Sequence, residues 1–375
     1  MLIELTDAAA VSAHLRKRAD LQNVVVQNVD LTSLADELAS VPAAGAFFLG
    51  CRFAPAALAH VIDTGGTVFP RLSDLPYKPY RNVLYSPDEL MEGYVPGKPG
   101  SMLEDTRDGR IYHYFRRHNR PGVVAPIIEA LAQRIHDHAI DDALQELLTP
   151  RKKIVGIMGG HAMKRDDPAY LTVAQLARRL TLAGYFIATG GGPGAMEAGS
   201  LGAWFAAYEA EDLEEAVELL RQETAFLADQ YMQCAYVVRD KFPDGAANLA
   251  VPTWCFGHEP TNLFAPHVAK YFANSIREDG LLAICTHGVV YAPGSAGTMQ
   301  EVFQKAAQNQ YGLFSLVSPM VFFDREFWLE KKPVYPLAAK LAEPHQYGEM
   351  MTVADDIDAI VAFIQDHPPV EYQKR

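Results

Sequence analysis

The chain has 375 residues, 49% of them apolar, and carries a formal net charge of −13. A negative field of that size excludes nucleic acid and anionic membrane as expected partners, because it repels both. It leaves room for a local anion site, which backbone N–H groups build without net positive charge.

Cys51, Cys234, Cys255 and Cys285 lie far apart, with no CxxC pair and no zinc-ligand spacing, and read as buried, reduced thiols. The opening MLIELTDAAAVSAHLRKRADL lacks the basic start and continuous apolar core of a signal peptide. No stretch reaches the ~20 apolar residues of a membrane span. The expectation is a soluble, cytoplasmic protein, long enough for two domains.

In chain order, 23–31 and 45–53 read as strands, 55–66 as a helix closed by glycine, and 67–70 as a third short strand. Residues 71–120, rich in Pro, Tyr, Arg and Gly, predict loops with short elements. From 123 to 148, Ile127, Leu131, Ile135, Ile140, Leu144 and Leu148 recur near helical spacing. TPRKK at 149–153 reads as a hinge, and the boundary is placed there. Residues 1–150 are then an N-terminal α/β accessory domain and residues 151–375 a second domain.

Past the hinge, strands and helices alternate. Strands are predicted at 153–160, 185–192, 247–254, 287–294 and 319–324, and helices at 171–184, 194–207, 264–279, 298–310 and 356–367. Residues 208–240 read as further helix with an acidic start, seven carboxylates falling between Glu209 and Glu223. This alternation predicts an α/β fold whose parallel sheet is wrapped on both faces. Ligands of such sheets sit beyond the carboxyl ends of the strands, and three glycine-rich turns lie there.

The first turn, GIMGGHAMKRDDPAY (156–170), lacks the G-x-G-x-x-G spacing of a dinucleotide fold. It reads equally as a plain strand-to-helix turn, with His161 either facing a ligand or solvated. In the second, TGGGPGAMEAG (189–199), Gly190, Gly191, Gly192 and Gly194 let backbone approach a ligand closely. Pro193 suits a first helical turn. Met196 and Glu197 follow, and Glu197 either complements the helix dipole or contacts the ligand.

The third turn is YAPGSAGTMQEVFQ (291–304). Gly294, Ser295, Ala296 and Gly297 offer N–H groups that converge on an anion, and Thr298 adds a hydroxyl. The same letters fit a capping box, in which Thr298 caps the helix and Glu301 reaches back to the cap N–H. Local sequence leaves both readings open. Between the second and third turns, PTWCFGHEPTN (252–262) offers aromatic and polar groups, but its His-Glu pair is not metal-ligand spacing. Lys270 and Arg277 share one predicted helix, where they read as a solvated face.

Two motifs carry a resemblance when taken together. Gly190-Gly191-Gly192-Pro193-Gly194-Ala195-Met196-Glu197-Ala198 and Pro293-Gly294-Ser295-Ala296-Gly297-Thr298-Met299-Gln300-Glu301 resemble the GGG-P-G-x-M-E-A and P-G-G-x-G-T-x-x-E signatures of the LONELY GUY family, often mislabelled lysine decarboxylase. Asp167 to Tyr170 also resembles the family pattern. The resemblance covers roughly 153–310; residues 1–150 show none. It departs at Ser295, where the family has glycine, and Arg277 stands one residue further from Pro293 than the family spacing. The acidic segment at 208–230 is extra to the small members.

The resemblance implies a Rossmann-like doubly wound fold that binds a nucleoside 5′-monophosphate, AMP-like, and hydrolyses its N-glycosidic bond to free base and ribose 5-phosphate. It implies Glu301 and Arg277 as the catalytic pair, the glycine turns as substrate and phosphate holders, no cofactor and no metal, and a homo-oligomer. The chemistry suits a carboxylate, because cleavage passes through a cationic ribose. The rival is a binding module: a nucleotide or alarmone sensor, or a carrier of a phosphorylated cofactor, on the same fold without turnover. A lysine decarboxylase would need pyridoxal phosphate anchored by a lysine, and no lysine lies inside a glycine turn.

Overall fold

Short apolar runs rich in β-branched residues form the strands of two parallel sheets. The computed structural model describes residues 2–18, 20–119, 125–150 and 152–373. Residues 123 and 124, at the start of one predicted helix, and Arg151 of the predicted hinge lie outside them.

The chain forms two compact units, one of Met1–Leu84 with His118–Leu147 and one of Tyr85–Arg117 with Leu148–Arg375. A single cut after residue 150 therefore misplaces residues 85–117, which pack with the C-terminal unit. The reason lies in long-range bonds. Tyr85 bridges to Val268, and Asp108, buried on the helix Arg107–His118, pairs with Lys270. That twelve-residue helix stands where mainly loop was predicted.

The first unit holds a four-stranded parallel sheet in chain order: β1 (Ile3–Leu5), β2 (Val24–Gln27), β3 (Phe47–Leu49) and β4 (Thr67–Phe69). Its core gathers Val11, Leu21, Val24, Val26, Phe48 and Val61. The helix Pro55–Asp63 starts with proline at its first position and ends just before Gly65, as predicted. In the helix Ile127–Leu147 the buried face carries Ala132, His136, Ile140 and Leu144, while Ile127 and Leu131 are exposed. Apolar spacing alone missed that rotation.

The second unit holds a seven-stranded sheet. Its strands are β5 (Ile154–Met158), β6 (Phe186–Thr189), β7 (Leu249–Ala250), β8 (His267–Val268), β9 (Val289–Tyr291), β11 (Met320–Phe323) and β12 (Met351–Ala354). β10 (Leu316–Val317) and β13 (Val370–Glu371) form a separate antiparallel ribbon. The order β12-β11-β9-β5-β6-β7-β8 is parallel at every pairing. Every residue of β5 is buried, so both faces of the sheet are covered there. The fold is the predicted Rossmann-like α/β arrangement. Strand order reverses beside β5, where β6 follows on one side and β9 joins on the other, and crevices of such sheets open at that point.

Around this sheet the helix Pro168–Leu182 starts on Asp167, whose side chain accepts from Ala169 N at 2.9 Å. The helix Ala195–Trp204 packs on it and on the sheet, with Gly199 against Ile157 and Thr189. Two predictions change. Residues 208–240 form two helices, Ala210–Leu220 and Asp229–Lys241, rather than one. Residues 264–273 are not helical: they hold β8 and a loop, and the helix runs Asn274–Ile284. Among the described residues no helix is long and apolar enough to cross a membrane.

Candidate functional site

The three glycine turns meet at the carboxyl ends of β5, β6 and β9. Gly160 N–H donates to Pro293 O at 3.0 Å, and Ala195 N–H donates to Gly160 O at 3.2 Å. The first turn is thus the junction of the other two. A Cβ at Gly159 would lie 2.6 Å from Ala195 Cβ and 3.0 Å from Ala292 Cβ, so the close approach requires glycine there. At Gly194, φ of +70° and the nearby Gly160 carbonyl exclude a side chain on both counts. His161 is exposed, its ring edge-on to Phe226 at 6.0 Å.

The third turn differs from its capping reading. The helix is Ala296–Tyr311 and its N-cap is Ser295, without a side-chain capping bond. It starts earlier than the pattern predicted, which moves Thr298 inside the first turn and Glu301 into the second. Neither performs a capping role. Thr298 is buried with its side chain against Gly294, where any Cβ would collide with it. Ser295, Ala296 and Gly297 are exposed, and the N–H groups of Ala296, Gly297 and Thr298 find no backbone acceptor among the described residues. These donors, at the positive end of a sixteen-residue helix, suit an anion.

The two glycines of this turn are not equivalent. Gly297 has open space around its Cβ position. Gly297→Ala is expected to fold normally and to gain up to about 1 kcal/mol from helix propensity. Gly294→Ala is expected to displace Thr298 and weaken anion binding. Thermal melting in chloride and in phosphate separates these outcomes.

Glu301 is partly buried, and its carboxylate takes no hydrogen bond among the described residues. Burial pushes it up to about 7, although Arg277 opposes the rise; Glu278 adds to it. Arg277 is itself buried, its Nε and Nη2 donating to Asn274 Oδ1 at 3.1 and 2.7 Å. Its Nη1 lies 3.7 Å from where a Cβ of Gly190 would be. Arg277 therefore reaches the second turn and acts electrostatically on Glu301, and it is no solvated helix face.

Glu197 does not stand at the turn's surface. Arg165 Nη2 and Nε donate to its two oxygens at 2.6 and 2.9 Å, and Tyr231 and Tyr170 hydroxyls donate at 2.7 and 2.8 Å. Burial pushes its carboxyl up, but Arg165 and the two hydroxyls outweigh this and hold it below its ordinary value. Arg165 is completely buried and stacks on Tyr231 at 3.3 Å. The pair ties the first turn to the second and leaves Glu197 no free oxygen for a ligand. Met196 packs its sulfur against Gly190.

Sequence reasoning missed Lys332 and noted Glu259 only within a segment offering polar groups. Lys332 follows the short helical turn Phe327–Lys331, which Trp328 pins by donating to Tyr291 O at 3.1 Å. Its Nζ donates to Gly294 O at 2.7 Å, bringing a cation to the third turn. Glu259 approaches the second turn, its Oε2 2.5 Å from where a Cβ of Gly192 would lie. Neither residue stands inside a glycine motif; no local signal marks Lys332, and the 252–262 segment signals polar groups without placing Glu259 at a turn. Lys270, in turn, is buried and bound to Asp108. Burial raises the Asp108 carboxyl, but Lys270 and His258 more than offset it and keep it well below the usual carboxylate range. Among the described residues no group of His, Cys, Asp and Glu is placed to hold a metal ion.

No family model matches the chain, and no curated protein matches it. Among solved structures, the chain is similar to the molybdenum cofactor binding protein of the phototrophic bacterium Rippkaea orientalis, at 15% identity and a TM-score of 0.35. It is also similar to the molybdenum cofactor carrier protein of Chlamydomonas reinhardtii, in two structures at 16% identity with TM-scores of 0.34 and 0.33. Each alignment covers 58% of this chain; the first two cover 98% of the other chain and the third 97%.

Proposed function

We propose that the cleft at the three turns binds a nucleoside 5′-monophosphate and hydrolyses its N-glycosidic bond. The observation that carries the proposal is Glu301: a carboxylate with no hydrogen bond among the described residues, beside a buried arginine and the exposed N–H donors of its own helix. In this reading those donors and Lys332 hold the 5′-phosphate. Glu301 takes a proton from water as the water oxygen bonds to C1′ and the C1′–N bond breaks. The base leaves with its electron pair and is protonated, and ribose 5-phosphate remains. The ionised Glu301 also stabilises the positive charge that develops on the ribose.

A second reading is a carrier or sensor that holds a phosphorylated ligand at the same turns without turnover. The similar solved structures are of a molybdenum cofactor binding protein and a molybdenum cofactor carrier protein. The exposed Ser295 favours it, because a hydroxyl at the helix start adds a phosphate donor with no part in the chemistry. Incubation with a panel of nucleoside monophosphates tests both: release of free base supports hydrolysis, and binding without release supports the carrier.

Lys332 gives a further expectation. Lys332→Gln is expected to weaken AMP binding about 3–10-fold, with a larger effect at low salt because the exposed charge is screened. Adenosine binding should be unaffected. Titration calorimetry at two ionic strengths checks this, and equal loss for both ligands would remove Lys332 from the phosphate site.

A further inference from the structure

The segment between β7 and β8 holds an uncommitted carboxylate over a turn of uncommitted donors. Gly192, Gly194 and Met196 N–H groups find no backbone acceptor among the described residues. Such a turn, at the start of a ten-residue helix, is an anion receptor by default. Yet Glu259 Oε2 already stands against Gly192. Glu259 forms no hydrogen bond or ion pair among the described residues, and it lines a small cavity with Gly191, Pro252, Thr261, Asn262 and Lys270.

Its position is built rather than incidental. The residues around it are fastened to the buried Asp108. Trp254 Nε1 donates to Asp108 Oδ1 at 2.8 Å, Thr261 Oγ1 donates to Oδ2 at 3.4 Å, and His258 Nε2 lies 3.4 Å from Oδ2. Lys270 is spent on the same carboxylate, so it does not neutralise Glu259. The second turn thus carries the bare Glu259 carboxylate against Gly192 with the Arg277 guanidinium near Gly190, while Lys332 and free N–H donors stand at the third turn beside Glu301.

We infer that Glu259 is a specificity-determining residue that bars a second anionic group from the second turn and accepts hydrogen bonds from ligand hydroxyl or amine groups there. This rests on the reading that the third turn takes the 5′-phosphate. With the phosphate held there, the ribose hydroxyls reach toward the second turn and donate hydrogen bonds to Glu259. A phosphate on the ribose would meet like charge at close range instead. The ligand class is thus singly phosphorylated nucleosides, and 3′-phosphorylated nucleotides are rejected.

The test compares AMP with adenosine 3′,5′-bisphosphate by titration calorimetry on the full chain, in wild type, Glu259→Gln and Glu259→Asp. Wild type should prefer AMP by at least about tenfold; Glu259→Gln should collapse that preference, and Glu259→Asp, which keeps the charge, should retain it. Independently, inorganic phosphate should raise the thermal midpoint of Glu259→Gln more than that of wild type at matched ionic strength. Unchanged preference and unchanged phosphate response in Glu259→Gln overturn the inference while AMP binding stands. If AMP does not bind wild type but Glu259→Gln gains a phosphate response, the nucleotide reading fails and the role of Glu259 survives. If neither is seen, both fall.

Discussion

Glu301→Gln is expected to lower base release about 10²–10⁴-fold, the range of a positioned acid-base group, while AMP affinity stays within about threefold. The amide keeps the shape of the side chain and removes only its charge and basicity. Rapid-quench turnover and calorimetry on the same preparations check the split. Loss of affinity in proportion to rate would make Glu301 a binding group instead.

Two pH effects follow from the same carboxyl, raised from 4.5 to about 7. Turnover needs the ionised form, so it should rise as pH passes through about 7 and level off above. Stability runs the other way. The folded protein holds this proton more tightly than the unfolded chain, so the stability that this group contributes is full below about 4.5 and is lost between 4.5 and 7. Glu301→Gln should therefore melt higher than wild type at pH 8, with the gap shrinking at pH 5. A stabilising substitution that removes activity is the usual trade at a functional site.

The second large effect concerns the buried pair that joins the turns. Glu197→Ala should destabilise the protein by about 3–5 kcal/mol, because it leaves Arg165 charged, buried and unpaired. At roughly 2–4 °C per kcal/mol for a domain of this size, the melting temperature falls by about 6–20 °C. Tyr170→Phe removes one hydroxyl to the same carboxylate and should cost only about 1–3 kcal/mol. Differential scanning calorimetry at pH 7.5 measures both. A shift below about 2 °C for Glu197→Ala would show that the pair does not hold the turns together.

The contrast between Glu197 and Glu301 marks the limit of what the letters reveal. Both stand early in a helix behind a glycine turn, and each had a structural and a functional reading. Their fates depend on distant partners. Glu197 is claimed by Arg165 and Tyr231, 32 and 34 residues away in sequence, whereas among the described residues the Glu301 carboxylate takes no hydrogen bond and meets Arg277 only electrostatically. The parallel sheet was legible because β5 and β9 are continuous apolar runs ending in glycine. The first turn's role was not, since Gly159 and Gly160 matter only through neighbours in the other two turns that the fold supplies. β7 and β8, with two residues each, are too short for any period to show, and the second fell inside a predicted helix. That misreading also sent Lys270 to the surface. Lys332 reaches the third turn from a segment with no motif, and Glu259 the second from a segment whose polar groups have no destination in the sequence; the three-dimensional path of the chain brings both there.

The central claim is turnover at this cleft. Wild-type protein incubated with a panel of nucleoside 5′-monophosphates, with free base and ribose 5-phosphate followed by chromatography, tests it most directly. Equal amounts of the two products, absent with Glu301→Gln, are predicted. Tight binding of a nucleotide that is recovered intact would contradict hydrolysis and leave a carrier or sensor.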